Sequence, residues 1–153
     1  MRSGPLVVYL AARYGRREEL CGYKADLESR GHQVPARWLL GDHQVHGLEA
    51  AQAVERGGAV PAPQARLFAE DDMADLLASD VVISFTELPR TSASRGGRHV
   101  EFGVALGLRR AGGQVRRLFV VGPLENVFHA LPEVDGIFTS WGAFLSTFDE
   151  AAS

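Results

Sequence analysis

The chain has 153 residues, of which 46% are hydrophobic and 23% are charged, and its formal net charge is −3. These values are typical of one globular domain with a single sizeable core. The slightly acidic balance gives no reason to expect a nucleic-acid polymer or an anionic membrane as partner. The only cysteine, Cys21, cannot form an intrachain disulfide and lacks the spaced partners of a zinc site. The apolar run at residues 6–12 is too short to span a membrane, so we expect a cytoplasmic protein.

Strand-like and helix-like segments alternate from the start of the chain. Residues 6–10 are a short apolar run that predicts a buried strand, and the spacing of apolar residues predicts a helix over 16–30 that ends at Gly31. Residues 33–39 are a second strand candidate, in which Pro35 favours an edge strand or a bulge. Residues 41–63 contain a Gly-Gly pair and two prolines, so we expect a mobile loop there, with a short helix at 48–56.

The alternation becomes more regular in the second half. In chain order, the pattern predicts a helix at 66–79, a strand at 80–85, a polar loop at 86–97, a helix at 98–110, a strand at 117–121, a turn-rich piece at 124–131, a strand at 136–138 and a helix at 140–151 capped by Ser140. This order predicts a single α/β domain over 1–153. Its sheet would be mostly parallel, five-stranded and doubly wound (Rossmann-like or flavodoxin-like), with helices on both faces. Functional residues in such folds follow the carboxyl ends of the strands.

Glu101 is the most informative single residue. It lies in the first turn of the predicted helix at 98–110, and the residues around it are apolar. One interpretation is a helix-terminal charge that faces water and only satisfies the helix dipole. The other is a buried carboxylate, which requires a partner or a chemical role. The segment by itself leaves both interpretations open.

Four features of the chain occur together. The first strand ends in Tyr9-Leu10-Ala11, Asp72 precedes Asp80 by eight residues on a predicted helix, a glycine-containing loop leads into the Glu101 segment, and a basic-then-apolar strand follows. Together they resemble the nucleoside 2-deoxyribosyltransferase family and its hydrolytic relatives, the nucleoside 5′-monophosphate N-glycosidases. The resemblance spans residues 6–141 and is strongest over 72–107. Its clearest part is the spaced set Gly97, Glu101, Gly103 and Ala105.

The resemblance implies cleavage of an N-glycosidic bond, with the sugar passing to another base or to water. Such a reaction develops positive charge at the sugar C1′, which a carboxylate can stabilise or attack. Glu101 matches the catalytic glutamate and would be the nucleophile, and Asp72 matches the aspartate that orients substrate and protonates the leaving base. Asp72 can equally be a solvated helix charge among neighbouring acids. No metal or organic cofactor is implied.

The resemblance also suggests substrate contacts. Arg95 and Arg98 flank a glycine pair where relatives carry smaller residues, so they form either a site for a 5′-phosphate or a solvated arginine pair. Tyr14 either stacks on a nucleobase or begins a helix with its ring half-buried. The predicted substrate-binding set is Ala11, Arg13, Tyr14, Arg95, Gly97, Arg98 and Asn126. Aromatic residues near the C-terminus are either core or a face of a homo-oligomer, as is usual in the family.

Two rival functions stay open. One is a nucleotide-binding module without catalysis, in which Glu101 binds a ribose hydroxyl, because fold does not determine function. The other is a hydrolase of a different nucleoside-containing ligand that uses the same two carboxylates. A Walker-type ATPase is excluded by the lack of its phosphate-binding motif, and a Rossmann dehydrogenase is disfavoured because the first strand is not followed by a G-x-G-x-x-G turn.

Overall fold

The computed structural model describes residues 4–41, 62–88 and 96–152. The strands in these ranges are β1 (Val8–Ala11), β2 (Val81–Phe85), β3 (Arg117–Val121) and β4 (Gly136–Phe138). The α-helices are α1 (Arg17–Ser29), α2 (Ala62–Leu77), α3 (Gly97–Arg110) and α4 (Trp141–Ala152). Short 3-10 helices span Tyr14–Arg16, Arg37–Leu40 and Val127–Ala130.

The strands form one parallel sheet in the order β1-β2-β3-β4. In its register Tyr9 lies beside Val82, and Ser84 lies between Ala11 and Val120. The prediction of an α/β protein with a parallel sheet is therefore confirmed. Because the strands are parallel, the chain leaves β1, β2, β3 and β4 at the same edge of the sheet, which we call the carboxyl edge.

The strand predicted at 33–39 does not form. Gln33 makes a single parallel bridge to Val7, and the chain then turns into the 3-10 helix Arg37–Leu40. Pro35 has no N–H to donate to a strand ladder. Trp38 instead donates its indole N–H to the Leu10 carbonyl at 3.0 Å, which ties the 3-10 helix to β1 by a side chain. The sheet within the described residues has four strands and not the predicted five.

Both faces of β1 and β2 are covered. Every residue of β1 and β2 is buried. Tyr9 and Phe85 point to opposite faces, because Tyr9 lies beside Val82 and side chains alternate along β2. Tyr9 contacts α3, whereas the Phe85 ring packs on Tyr23 of α1 at 5.4 Å and on Trp141 of α4 at 5.8 Å.

Helix α4 contributes an aromatic cluster to the core. Phe144 is fully buried, and Trp141 and Phe148 are nearly so. The rings within 5.4 Å of Phe144 are those of Phe119, Phe138, Trp141 and Phe148. Of the two interpretations of the C-terminal aromatic residues, the core therefore applies to Trp141, Phe144 and Phe148, while Phe128 is 57% exposed.

Two predicted helix ends are confirmed. Gly31 follows α1 with a φ of 87°, the left-handed conformation that suits glycine at a helix C-terminus. Ser140 caps α4 by accepting a hydrogen bond from the Ala143 N–H at 3.1 Å. The loop predicted at 41–63, with its helix at 48–56, lies outside the described residues except at its two ends. No helix among the described residues combines the length and apolar character needed to cross a membrane.

Phe144→Ala should lower the free energy of unfolding by about 3–5 kcal/mol, because it opens a cavity inside the aromatic cluster. Leu67→Ala shortens a side chain of α2 that is 61% exposed and should cost less than about 0.5 kcal/mol. Urea denaturation of both variants beside the wild type measures the difference. Equal losses in the two variants would contradict the packing described for α4.

Candidate functional site

Three loops carry charged side chains at the carboxyl edge. Arg13 follows β1, Glu87 follows β2 and Glu125 follows β3. Helix α3 begins near the same edge after Gly96, whose φ of 78° is left-handed. The side chains from these four elements contact one another, which places the candidate site where ligands bind in open parallel sheets.

Glu101 is half-buried and is not a fully solvated helix charge. The Tyr9 hydroxyl, which is fully buried in β1, donates a hydrogen bond to Glu101 Oε2. Helix α3 begins at Gly97 and has no acidic residue in its first turn. Glu101 therefore lies beyond the free first-turn N–H groups that would stabilise a carboxylate at a helix N-terminus. Burial raises the pKa of Glu101 to about 8. The nearby Asp72 charge raises it as well, and the Tyr9 hydrogen bond opposes both effects.

Tyr9 is a residue of the candidate site that was not among the residues predicted from the sequence. Its ring fits the apolar β1 pattern, so the sequence presented it only as a strand residue. Burial, followed by the charges of Glu101 and Asp72, raises the pKa of Tyr9 far above its usual value, so its hydroxyl keeps the proton and remains a donor. The available signal was the phenol hydroxyl itself, because a buried tyrosine usually needs a hydrogen-bond partner.

The structure brings the two predicted catalytic acids together. Asp72 is half-buried on α2, and its charge raises the pKa of both Glu101 and Tyr9. Its neighbours Asp71 and Asp75 bind Arg37 of the 3-10 helix after the Gln33 bridge. Asp72 is half-buried and its charge acts on Glu101, so it is not simply one charge of a solvated acidic helix.

A row of alternating charges crosses the carboxyl edge. Arg13 Nε donates to Glu87 Oε1 at 2.7 Å, and Arg98 Nη2 lies 3.9 Å from that oxygen. Arg98 then makes a two-point ion pair with Glu125 at 2.5 and 2.8 Å. The Arg98 side chain is only 6% exposed and is paired with Glu125, so it is not the solvated arginine that was one of the two interpretations.

Glu125 is held from several sides. Burial raises the pKa of its carboxyl, but the Arg98 hydrogen bonds, the Glu87 N–H and the Arg98 charge outweigh burial and bring the pKa to about 2. The fully buried His129 accepts hydrogen bonds at Nδ1 from the N–H groups of Glu125 and Asn126, at 3.2 and 3.3 Å. Asn126 caps the 3-10 helix through the Phe128 N–H at 2.9 Å, so its side chain has a structural contact beside any role with substrate.

The other predicted contacts differ in what they can offer a ligand. Ala11 is fully buried at the end of β1, so only its backbone can take part. Tyr14 is 36% exposed, with its ring 6.2 Å from that of Trp38. Gly97 begins α3, and within the described part of the chain no atom beyond its neighbours and its own helix backbone lies within 4 Å of where a side chain would start. Arg95 lies outside the described residues.

The described residues contain no group of three His, Cys, Asp or Glu side chains arranged to hold a metal ion. The chemistry that the site itself offers is acid-base and nucleophilic, from two carboxyls of which one carries a raised pKa. No protein-family model matches the chain, and a search of the curated proteins found no match.

Tyr9→Phe should raise the pKa of Glu101 above about 8, because it removes the hydrogen bond that stabilises the carboxylate. Carboxyl ¹³C NMR titration, with the signal assigned by its loss in Glu101→Gln, measures this shift. Tyr23→Phe is the matched control. The Tyr23 hydroxyl donates to Glu19 at 2.6 Å, and the Tyr23 ring packs on Phe85 on the opposite face of the sheet. An unchanged or lower pKa of Glu101 in Tyr9→Phe would refute the arrangement.

Glu125→Gln should lower the free energy of unfolding by about 2–4 kcal/mol at pH 7, because it leaves the buried Arg98 charge uncompensated. Glu70→Gln removes an ion pair with Arg66 in which the Arg66 side chain is 80% exposed and the Glu70 side chain 61% exposed. It should lower the free energy of unfolding by less than about 0.5 kcal/mol. Because folding lowers the pKa of Glu125, its stabilisation is present above the unfolded value of 4.5 and disappears as the pH falls towards 2. Denaturation curves at several pH values test this, and a constant difference between wild type and Glu125→Gln would contradict it.

Proposed function

We propose that this protein cleaves the N-glycosidic bond of a (deoxy)nucleoside or its 5′-monophosphate and passes the sugar to another base or to water. The observation that supports this best is the half-buried Glu101 carboxyl, which accepts a hydrogen bond from Tyr9 and has its pKa raised by burial and by the charge of Asp72. The sequence resemblance adds the assignment of roles. The proposal keeps the doubly wound arrangement, with helices on both faces of the four-stranded sheet.

In the proposed reaction Glu101 and Asp72 share one proton. With a pKa of about 8, Glu101 is mostly protonated at neutral pH in the free protein. Transfer of that proton to Asp72 leaves Glu101 as the carboxylate that attacks C1′, stabilised by the Tyr9 hydroxyl. The C1′–N bond breaks with its electron pair on the base, which takes the proton from Asp72. A second base or water then attacks C1′ and displaces Glu101. The proton that this second base or water loses passes to Asp72.

Substrate binding uses the carboxyl-edge loops. The half-exposed Tyr14 ring can stack on the base, and the backbone of Ala11, three residues earlier at the end of β1, offers a further contact. Arg13 and Arg98 already bind Glu87 and Glu125, so a 5′-phosphate would have to compete with those carboxylates for them. Asn126, Gly97 and Arg95 complete the proposed contacts.

The proposal also includes a cytoplasmic location, which fits the free thiol of Cys21. It includes a homo-oligomer as well. The 3-10 helix after β3 exposes 79% of Val127 and 57% of Phe128, which are apolar side chains suited to contact with another subunit.

Purified protein should release free base from at least one member of a panel of nucleosides and 5′-monophosphates, and Glu101→Gln should lower kcat at least about 10³-fold. Glu70→Gln, a change of the same kind at an exposed site, should retain full activity. Chromatography with and without a second free base identifies the acceptor. A new nucleoside formed only with the second base indicates a transferase, and base released without it indicates a hydrolase.

The same assay tests the shared proton. The rate should fall above about pH 8, because Glu101 then loses the proton that the leaving base requires. Binding of a nucleoside without turnover of any substrate would overturn the proposed function and favour the binding-module interpretation.

A further inference from the structure

The 3-10 helix Arg37–Leu40 connects the strand that carries Tyr9 to the helix that carries Asp72. On one side, the buried indole N–H of Trp38 donates to the Leu10 carbonyl at 3.0 Å, one residue after Tyr9. On the other side, the preceding residue, Arg37, binds α2. Two adjacent residues thus reach the two elements that meet at Glu101.

Arg37 binds α2 through several contacts. Its Nη1 lies 3.0 Å from Asp71 Oδ1, and its Nη2 donates to the Asp71 carbonyl at 3.2 Å. Its Nε and Nη2 lie 3.1 and 3.0 Å from Asp75 Oδ1, and its backbone N–H donates to Asp75 Oδ2 at 2.9 Å. Asp75 is only 8% exposed and lies one helical turn after Asp72. The contacts with Asp71 and Asp75 therefore fix the rotation and height of the helical turn from which Asp72 projects.

We propose that Arg37 and Trp38 form a brace that sets the position of Asp72 relative to Tyr9 and Glu101, and that Arg37 is thereby a positioning residue for the reaction. The catalytic part of this inference rests on the proposed function. The geometric part does not, because the electrostatic contact between Asp72 and Glu101 exists without substrate.

Geometry and not charge is the expected mode of action. The Arg37 side chain is 42% exposed and its charge is already matched by Asp71 and Asp75, so its long-range field at Glu101 is weak. The groups that face Arg37 are Asp71, Asp72 and Asp75 of α2. What Arg37 supplies is a rigid fork that holds two points of the helix, which lysine cannot reproduce.

The test uses Arg37→Ala, Arg37→Lys and a matched control, Arg30→Ala. Arg30 also binds an aspartate with its guanidinium, Asp149 at 2.8 Å, and a backbone carbonyl, that of Asp26 at 3.0 Å, but it joins α1 to α4. Its side chain is 34% exposed, close to the value for Arg37. Loss of stability alone should therefore be similar in the two alanine variants.

Two measurements separate positioning from stability. In Arg37→Ala the pKa of Glu101, followed by carboxyl ¹³C NMR without substrate, should fall by at least about half a unit, because the raising charge of Asp72 moves away. The kcat per folded molecule should fall about 10- to 100-fold, with KM changed less than about threefold. Arg37→Lys should show most of the pKa shift and most of the loss in kcat, because lysine does not reproduce the guanidinium fork. Arg30→Ala should show neither change.

A wild-type pKa of Glu101 in Arg37→Ala, or an equal shift in Arg30→Ala, would overturn the brace. If the wild type turns over no nucleoside, the proposed function fails, and the NMR titration still tests the brace. If Arg37→Ala does not fold, Trp38→Phe provides the second variant, because it removes the indole donor to the Leu10 carbonyl but keeps an aromatic ring. It should shift the pKa of Glu101 in the same direction, and no shift would overturn the proposal.

Discussion

The hydrogen bond from Tyr9 to Glu101 is the constraint on which the rest of the site depends. It places an ionisable carboxyl against a fully buried strand, where burial and the Asp72 charge both disfavour ionisation. Asp72, the second acid, lies on α2, and the contacts of Arg37 with Asp71 and Asp75 bind this helix on both sides of Asp72.

A second set of electrostatic interactions lies at the carboxyl edge. Arg13, Glu87, Arg98 and Glu125 alternate in sign across the ends of β1, β2 and β3, so the loops bind one another through opposite charges. The buried Arg98 joins the beginning of α3 to the segment after β3, and His129 fixes the backbone of that segment. The helix that carries Glu101 is thus anchored at its start by Arg98 and against β1 by Tyr9.

Much of the fold could be predicted because its signals are local. Apolar runs indicated β2, β3 and β4, Gly31 indicated the end of α1, and Ser140 indicated the start of α4. The prediction of a strand at 33–39 was wrong. The conformation of this segment depends on the hydrogen bond from Trp38 to the Leu10 carbonyl, a contact with a residue distant in sequence. The resemblance assigned Glu101 and Asp72 to one reaction, and in the structure the Asp72 charge raises the pKa of Glu101. The prediction for Arg98 did not include its ion pair with Glu125, because this partner lies 27 residues further along the chain.

The sequence by itself determined the α/β class, the order of the elements and the presence of a carboxylate in an apolar helix, because hydrophobic periodicity and chain-breaking residues act over a few neighbouring positions. Only the tertiary structure decided which proton donor Glu101 meets, that Arg98 is neutralised by Glu125, and that Arg37 binds α2 on both sides of Asp72. These outcomes are pairings between side chains on different elements. Their energies depend on distance and burial, which are properties of the folded chain and not of any local segment.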